Sequence, residues 1–237
     1  MYETYTPENP MIKDVEMGII VDDDLEKENH RNFLRKIYSL LLYQLFITVG
    51  MCAVAMYNNS IRSYVIDHNG FLLMGSILSF VFLIMLFCNK DNHPKNIWIL
   101  TAFTISIAYT IAVTCAIYVN MGYKNLVIKA FLITILTFIV LTCFTFQSKY
   151  NFDFLQEIVA SGILVLFFWG IINWVMGSDG GMIYSIFGIF IFVCAIIYDT
   201  HRLKEQFGYD DYILASVTLY LDIINLFLYI LDFLRKE

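Results

Sequence analysis

The sequence predicts an all-α membrane protein, a bundle of seven transmembrane helices. Three observations carry that expectation. Of 237 residues, 59% are hydrophobic and 15% are charged, against about 25% charged in a soluble domain. The apolar residues gather into seven segments, each close to the ~20 residues a spanning helix needs. The connections between them are short, which implies sequential antiparallel helices. No proline falls inside any segment, so no proline kinks are expected. A chain of this length and composition holds one bundle and no sizeable soluble domain.

Residues 1–32 come first, as an acidic tail expected to be disordered and cytosolic. Nine of the 21 acids lie in the first 30 residues, among them Asp22, Asp23, Asp24, Glu26 and Glu28. Pro7 and Pro10 are there as well, and no apolar core accompanies them. Nothing in the tail suits nucleic acid. It also lacks the short apolar core of a signal peptide, so insertion is expected to use the first membrane helix.

The bundle fills 33–237. Its spans are expected at 33–57, 71–88, 97–119, 126–146, 154–175, 182–199 and 212–234. Basic residues set their orientation. Lys27, Arg31, Arg35 and Lys36 flank the first span; Lys90 and Lys95, Lys149, and Arg202 and Lys204 follow in alternate loops. The opposite loops offer Arg62, then Lys124, then no base in the stretch GSDGG. That asymmetry puts the N-terminus in the cytosol. Arg235 and Lys236 conflict with it, because seven spans carry them to the lumenal side. The alternative is six spans with a re-entrant C-terminal helix. Trp98 and Trp174 fall at span ends, where interfacial anchors belong. Asn58-Asn59-Ser60 matches a glycosylation sequon, but it abuts the first helix and is expected to stay unmodified.

The five cysteines (Cys52, Cys88, Cys115, Cys143 and Cys194) are scattered through apolar segments and read as buried small hydrophobes. Neither CxxC nor Cys/His ligand spacing occurs, and His30, His68 and His93 are dispersed. No cofactor and no tightly bound metal are expected.

Asp222 stands out. It lies near the middle of YILASVTLYLDIINLFLYILDFL, where a charge costs roughly 2.5–3.5 kcal/mol on insertion scales. Asp199 closes the preceding apolar run, GIFIFVCAIIYD. In a helical hairpin the two can face one point in the cytosolic half. Close carboxyls in low dielectric cannot both ionise cheaply, so such a pair shares a proton. It would part on deprotonation or on arrival of a cation, which makes a pH- and cation-sensitive gate. Tight calcium storage fits poorly, since calcium takes 6–8 oxygens. The bland alternative leaves Asp199 solvated at its helix end. His201 follows Asp199 by two residues and could tune its proton, or be solvated in the loop. Glu157 is expected at the interface, Lys129 snorkels, and Asp232 is expected to be solvated.

Enzymatic readings fare worse. An intramembrane aspartyl protease would use Tyr198-Asp199, but it needs Gly-x-Gly-Asp where Leu219-Tyr220-Leu221-Asp222 stands. No proline follows Pro94 to supply its last motif. The serine-type Gly-x-Ser-x-Gly elbow is missing too. No enzyme is expected.

The closing stretch resembles the C-terminal signature of the Bax-inhibitor-type transmembrane family. The pieces are Ile197-Tyr198-Asp199-Thr200, Tyr212-Ile213-Leu214-Ala215-Ser216 and Leu219-Tyr220-Leu221-Asp222-Ile223-Ile224-Asn225-Leu226-Phe227. The wording is most similar to the Golgi anti-apoptotic branch, which has cellular and poxvirus-encoded members. The resemblance spans about 33–234 and is sharp after Ile196. It implies a seven-helix bundle with the last helix at its centre. It also implies that the family's pH-sensing di-aspartyl pair maps onto Asp199 and Asp222. Members are described as calcium-leak or cation channels of intracellular stores that suppress apoptosis, so Golgi and endoplasmic reticulum membranes are the expected sites. One departure is Ile107, where cellular relatives place a Glu in the third helix; Glu205 could offer a substitute carboxylate at the cytosolic mouth.

The partners implied are membrane lipids, calcium or other cations as permeant ions, host apoptosis or calcium-signalling membrane proteins, and a second copy of the chain. A non-conducting scaffold and a proton/calcium exchanger stand as alternatives to the leak.

Overall fold

The computed structural model describes residues 10–67, 70–90, 92–205 and 211–237, with side chains from residue 25 onward apart from 70–72. The described residues form eight α-helices and no strand. The first, α1 (Pro10–Tyr57), is 48 residues long. Pro10 occupies its first position, the one place where proline suits a helix, and no proline follows until Pro94. Of the segment expected to be a disordered tail, residues 1–9 lie outside the described residues; from Pro10 the backbone continues α1.

A short helix that sequence reasoning did not anticipate follows, α2 (Asn59–Asp67). Asn58 starts it: its side-chain oxygen accepts the Ile61 N–H at 3.2 Å, the usual work of an N-cap. Arg62 ties it back, donating to the Met56 carbonyl at 3.0 Å.

Next come α3 (Gly70–Cys88) and α4 (Lys95–Asn120), packed antiparallel. Gly75 allows their close approach, since a Cβ there would press on Thr110 and Tyr109 of α4. Gly122 turns the chain at φ +91, a conformation that suits glycine, into α5 (Lys124–Gln147). α6 (Leu155–Met176) ends on Gly177 in the left-handed region. The hairpin of α7 (Gly181–Glu205) and α8 (Tyr212–Lys236) completes the fold.

Among the described residues, six helices are long and apolar enough to cross a membrane. They are Leu25–Tyr57, Lys95–Asn120, Lys124–Gln147, Leu155–Met176, Gly181–Glu205 and Tyr212–Lys236. The second expected span contributes the shorter apolar helix Leu73–Cys88. The number agrees with the six-span alternative. The last helix is one of the six, unbroken from Tyr212 to Lys236.

α8 is the hub. It packs against α1, α4, α5 and α7, and 61% of its apolar window is buried against 17% in α5 and in α6. Tyr220 is fully buried, with its ring edge-on to Phe103 and its hydroxyl 2.8 Å from Thr48. Thr104 of α4 accepts a bond from Gln44 of α1 at 3.3 Å in the same layer. Leu132, Leu136, Phe167 and Phe168 point outward from α5 and α6. So broad an apolar exterior suits lipid.

Candidate functional site

The site lies on the seam between α7 and α8. Along α7, Ser185, Gly188, Phe192, Ala195 and Asp199 recur at spacings of three and four. Along α8, Thr218, Asp222, Asn225, Tyr229 and Asp232 do the same. Residues so spaced share one face of a helix. The two faces meet with a polar cluster at each end and an aromatic plug between. In the plug the Tyr229 ring stacks on Phe192, centroids 5.7 Å apart. The ring also fills the place where Gly188 would carry a Cβ. The Tyr229 hydroxyl lies 3.2 Å from that of Tyr184.

At one end of the seam the carboxyls of Asp199 and Asp222 are hydrogen-bonded to each other, and Thr218 is a further side-chain partner of Asp199. Two carboxylates have no donor between them, so this bond requires a proton on one of them. Asp222 is 7% exposed, and its Oδ2 has no hydrogen-bond partner in the described structure. Asp199 is half-buried, and the Arg202 guanidinium, one turn along α7, acts on it electrostatically. Asp222 lies ten residues inside α8, roughly 15 Å from its start, and Asp199 about 9 Å inside the end of α7. Asp199 therefore lies within α7 rather than at its end.

The other singled-out residues are placed differently. His201 is two residues from Asp199, more than half a turn around α7, and it faces away. It is buried, with Nε2 3.6 Å from Asp153 and its ring edge-on to Phe152 at 5.6 Å. Glu205 ends α7, exposed and 3.8 Å from Lys204. Ile107, partly buried on α4, packs against the hydrophobic core. Glu157 and Lys129 are exposed.

Asp232, expected to be solvated, is instead the centre of the second cluster. Its Oδ2 accepts bonds from Ser185 at 2.6 Å and Lys236 at 2.6 Å, and its Oδ1 accepts one from Arg235 at 2.9 Å. Arg235 also reaches Asp179 at 3.3 Å. Lys236 donates to the carbonyls of Asp179 and Gly181 at 2.7 and 2.9 Å. The loop after α6 folds over the end of α8 and meets its charges. Part of this was legible, because Asp232 precedes Arg235 and Lys236 by three and four residues.

Known proteins are similar to this chain along most of its length. A family model described as inhibitor of apoptosis-promoting Bax1 matches residues 30–237. The chain is 35% identical to a Golgi anti-apoptotic protein of vaccinia virus (strain Lister), over 86% of this chain and 84% of the viral one. It is 34% identical to a BI1-like protein of Arabidopsis thaliana, over 89% and 83%. Protein lifeguard 4 of Mus musculus matches at 32%, over 86% and 84%. With a match that covers all eight helices but the start of the first, the chain belongs to the family of inhibitors of apoptosis-promoting Bax1.

Proposed function

We propose that this chain is a multi-pass membrane protein of the Golgi that restrains apoptosis by acting as a pH-sensitive cation leak. Calcium is the physiological ion in this reading, and the leak lowers the amount stored in the lumen. One observation carries it: a buried carboxyl, Asp222, bonded to a second carboxyl on the neighbouring helix, with an oxygen left unpartnered. An apolar protein keeps such a group at high cost unless it has a task. With one proton shared, Asp199 and Asp222 hold α7 and α8 together. Loss of that proton sets two like charges against each other in a low dielectric, and the seam parts. A passing cation then replaces the proton. A cleft of about 470 Å³ reaches Asn225 and Tyr229, one to two turns from Asp222. The Golgi site and the effect on apoptosis rest on the similarity to the vaccinia protein; the endoplasmic reticulum is a second membrane consistent with the fold. The reading assigns no catalytic residue.

Seven crossings suit this function. α3 has 19 residues and a length of about 28 Å, close to the ~30 Å of a bilayer core. The conflict raised by Arg235 and Lys236 eases, because Asp179 and Asp232 pair with them.

The test is calcium flux from liposomes that hold the purified protein, across pH. Wild type should conduct more as pH rises and the shared proton leaves. Asp222→Asn and Asp199→Asn keep a neutral, hydrogen-bonding group, so each should abolish the pH dependence. Wild-type flux from both variants at every pH would end the gate idea.

A second reading is a non-conducting scaffold that binds apoptosis or calcium-handling membrane proteins, or a second copy of itself. It is favoured by the clefts beside Arg35, Trp174, Phe138 and Tyr109, none of which is lined by either aspartate. Deleting residues 1–28 distinguishes them: survival activity lost at unchanged flux supports the scaffold. A proton/calcium exchanger would move calcium uphill on a pH gradient alone.

A further inference from the structure

Where α1 enters the membrane, a cleft of about 1020 Å³ opens between α1, the loop before α4 and the start of α8. Its floor is apolar, with Phe33 buried and Leu40 half-buried. Its walls are polar and basic: Arg35 and Lys36 from α1, His93 from the loop, and the amides of Asn29 and Asn32 with the hydroxyl of Ser39. Tyr212 closes the far side, its ring 5.5 Å from the Lys36 ammonium. The nearby acid on the α8 side, Asp211, is already bonded to Lys90 at 2.8 Å. Arg35 and Lys36 are the last charges before an uncharged run from Ile37 to Tyr57. Guanidinium and ammonium groups at that boundary lie level with lipid phosphates.

We propose that this cleft binds the phosphorylated inositol headgroup of a lipid in the adjoining leaflet. Arg35 offers a planar fork for a phosphate, and Lys36 a compact charge beside it. The neutral donors and acceptors are the distinguishing part. Asn29, Asn32 and Ser39 suit ring hydroxyls, which a serine or choline headgroup lacks. The lipid's acyl chains lie along the apolar run that begins at Ile37. This site is about 20 residues along α1 from the level of Tyr57 and is not part of the aspartate seam. The inference rests on the membrane placement of α1 and is independent of whether the protein conducts.

Native mass spectrometry of the full chain in neutral detergent tests it. Phosphatidylinositol 4-phosphate is compared with phosphatidylcholine of the same acyl chains, with soluble inositol 1,4-bisphosphate as competitor. Wild type should retain one phosphoinositide per chain in preference to phosphatidylcholine. Arg35→Gln/Lys36→Gln should weaken retention roughly tenfold or more. Ser39→Phe fills the cleft at unchanged charge and should weaken it too. Lys129→Gln/Lys149→Gln removes the same charge elsewhere and should leave retention intact, and thermal unfolding verifies that each variant is folded. Equal retention of the two lipids, or equal loss in both double variants, overturns the proposal. So does complete displacement by an equimolar amount of the soluble headgroup, which would make a free phosphate compound the occupant.

Discussion

Asp222 and Asp232 sit ten residues apart on one helix, and their surroundings treat them in opposite ways. Asp232 has a serine hydroxyl, a guanidinium and an ammonium within 2.9 Å; Asp222 has another acid. Removing the first should hurt. Asp232→Ala leaves Arg235 and Lys236 without their shared carboxylate, and thermal unfolding in detergent should show a loss of about 1–2 kcal/mol. Asp222→Asn keeps the size and a hydrogen bond while removing the costly group, so its melting temperature should stay level or rise. A fall as large as that of Asp232→Ala would mean that the Asp199–Asp222 contact is chiefly a structural tie. Asp222 was conspicuous because a mid-span acid is energetically odd. Asp232 read as solvated because nothing in its own neighbourhood announces that residues 177–181 fold back onto it. His201 is two residues from Asp199 in sequence but turns to Asp153, since residues two apart along a helix point to different sides.

Among elements, the α7–α8 seam depends on Gly188. Gly188→Ala places a methyl group where the Tyr229 ring lies, and either the ring or the helix must move. Overpacking of this kind costs about 1–3 kcal/mol. Thermal unfolding should register that loss, and a second substitution, Tyr229→Val, should recover most of it. If the two losses simply add, ring and glycine do not share the space. The positions of the apolar helices were plain from hydropathy, to within a few residues at their ends except at the start of α1 and the end of α7, which runs six residues past Asp199. α2 was not, because NSIRSYVID is too short and polar to show as a span, and its one local sign is Asn58 as a cap. The extent of α1 was also hidden: acidic, proline-flanked sequence reads as a tail, yet a helix needs no apolar face to continue past Pro10.

For the molecule as a whole, the two ends of α8 matter most. Its start adjoins Lys90 and Lys36 near the entry of α1; its end adjoins the loop between α6 and α7. Under the proposed seven crossings, the two ends of the bundle lie on opposite sides of the bilayer. Single cysteines at Glu26 and Glu237, in a background without the native five, should then react with an impermeant thiol reagent from opposite sides of sealed vesicles. Labelling from the same side would restore an even count and a shallow α8. The central place of α8 could be anticipated from the resemblance of its sequence to the family's signature, not from hydropathy, which ranks α5 above it. Burial comes from neighbours, and no single segment encodes who its neighbours are.

The clamp on Arg235 has a consequence for synthesis. Asp179 leaves the ribosome 56 residues ahead of Arg235. When the two terminal bases reach the translocation machinery, their counter-charge is already waiting in the preceding loop. In the proposed seven-span arrangement, the last helix would then carry its positive charge across the membrane toward a partner made earlier in the same chain.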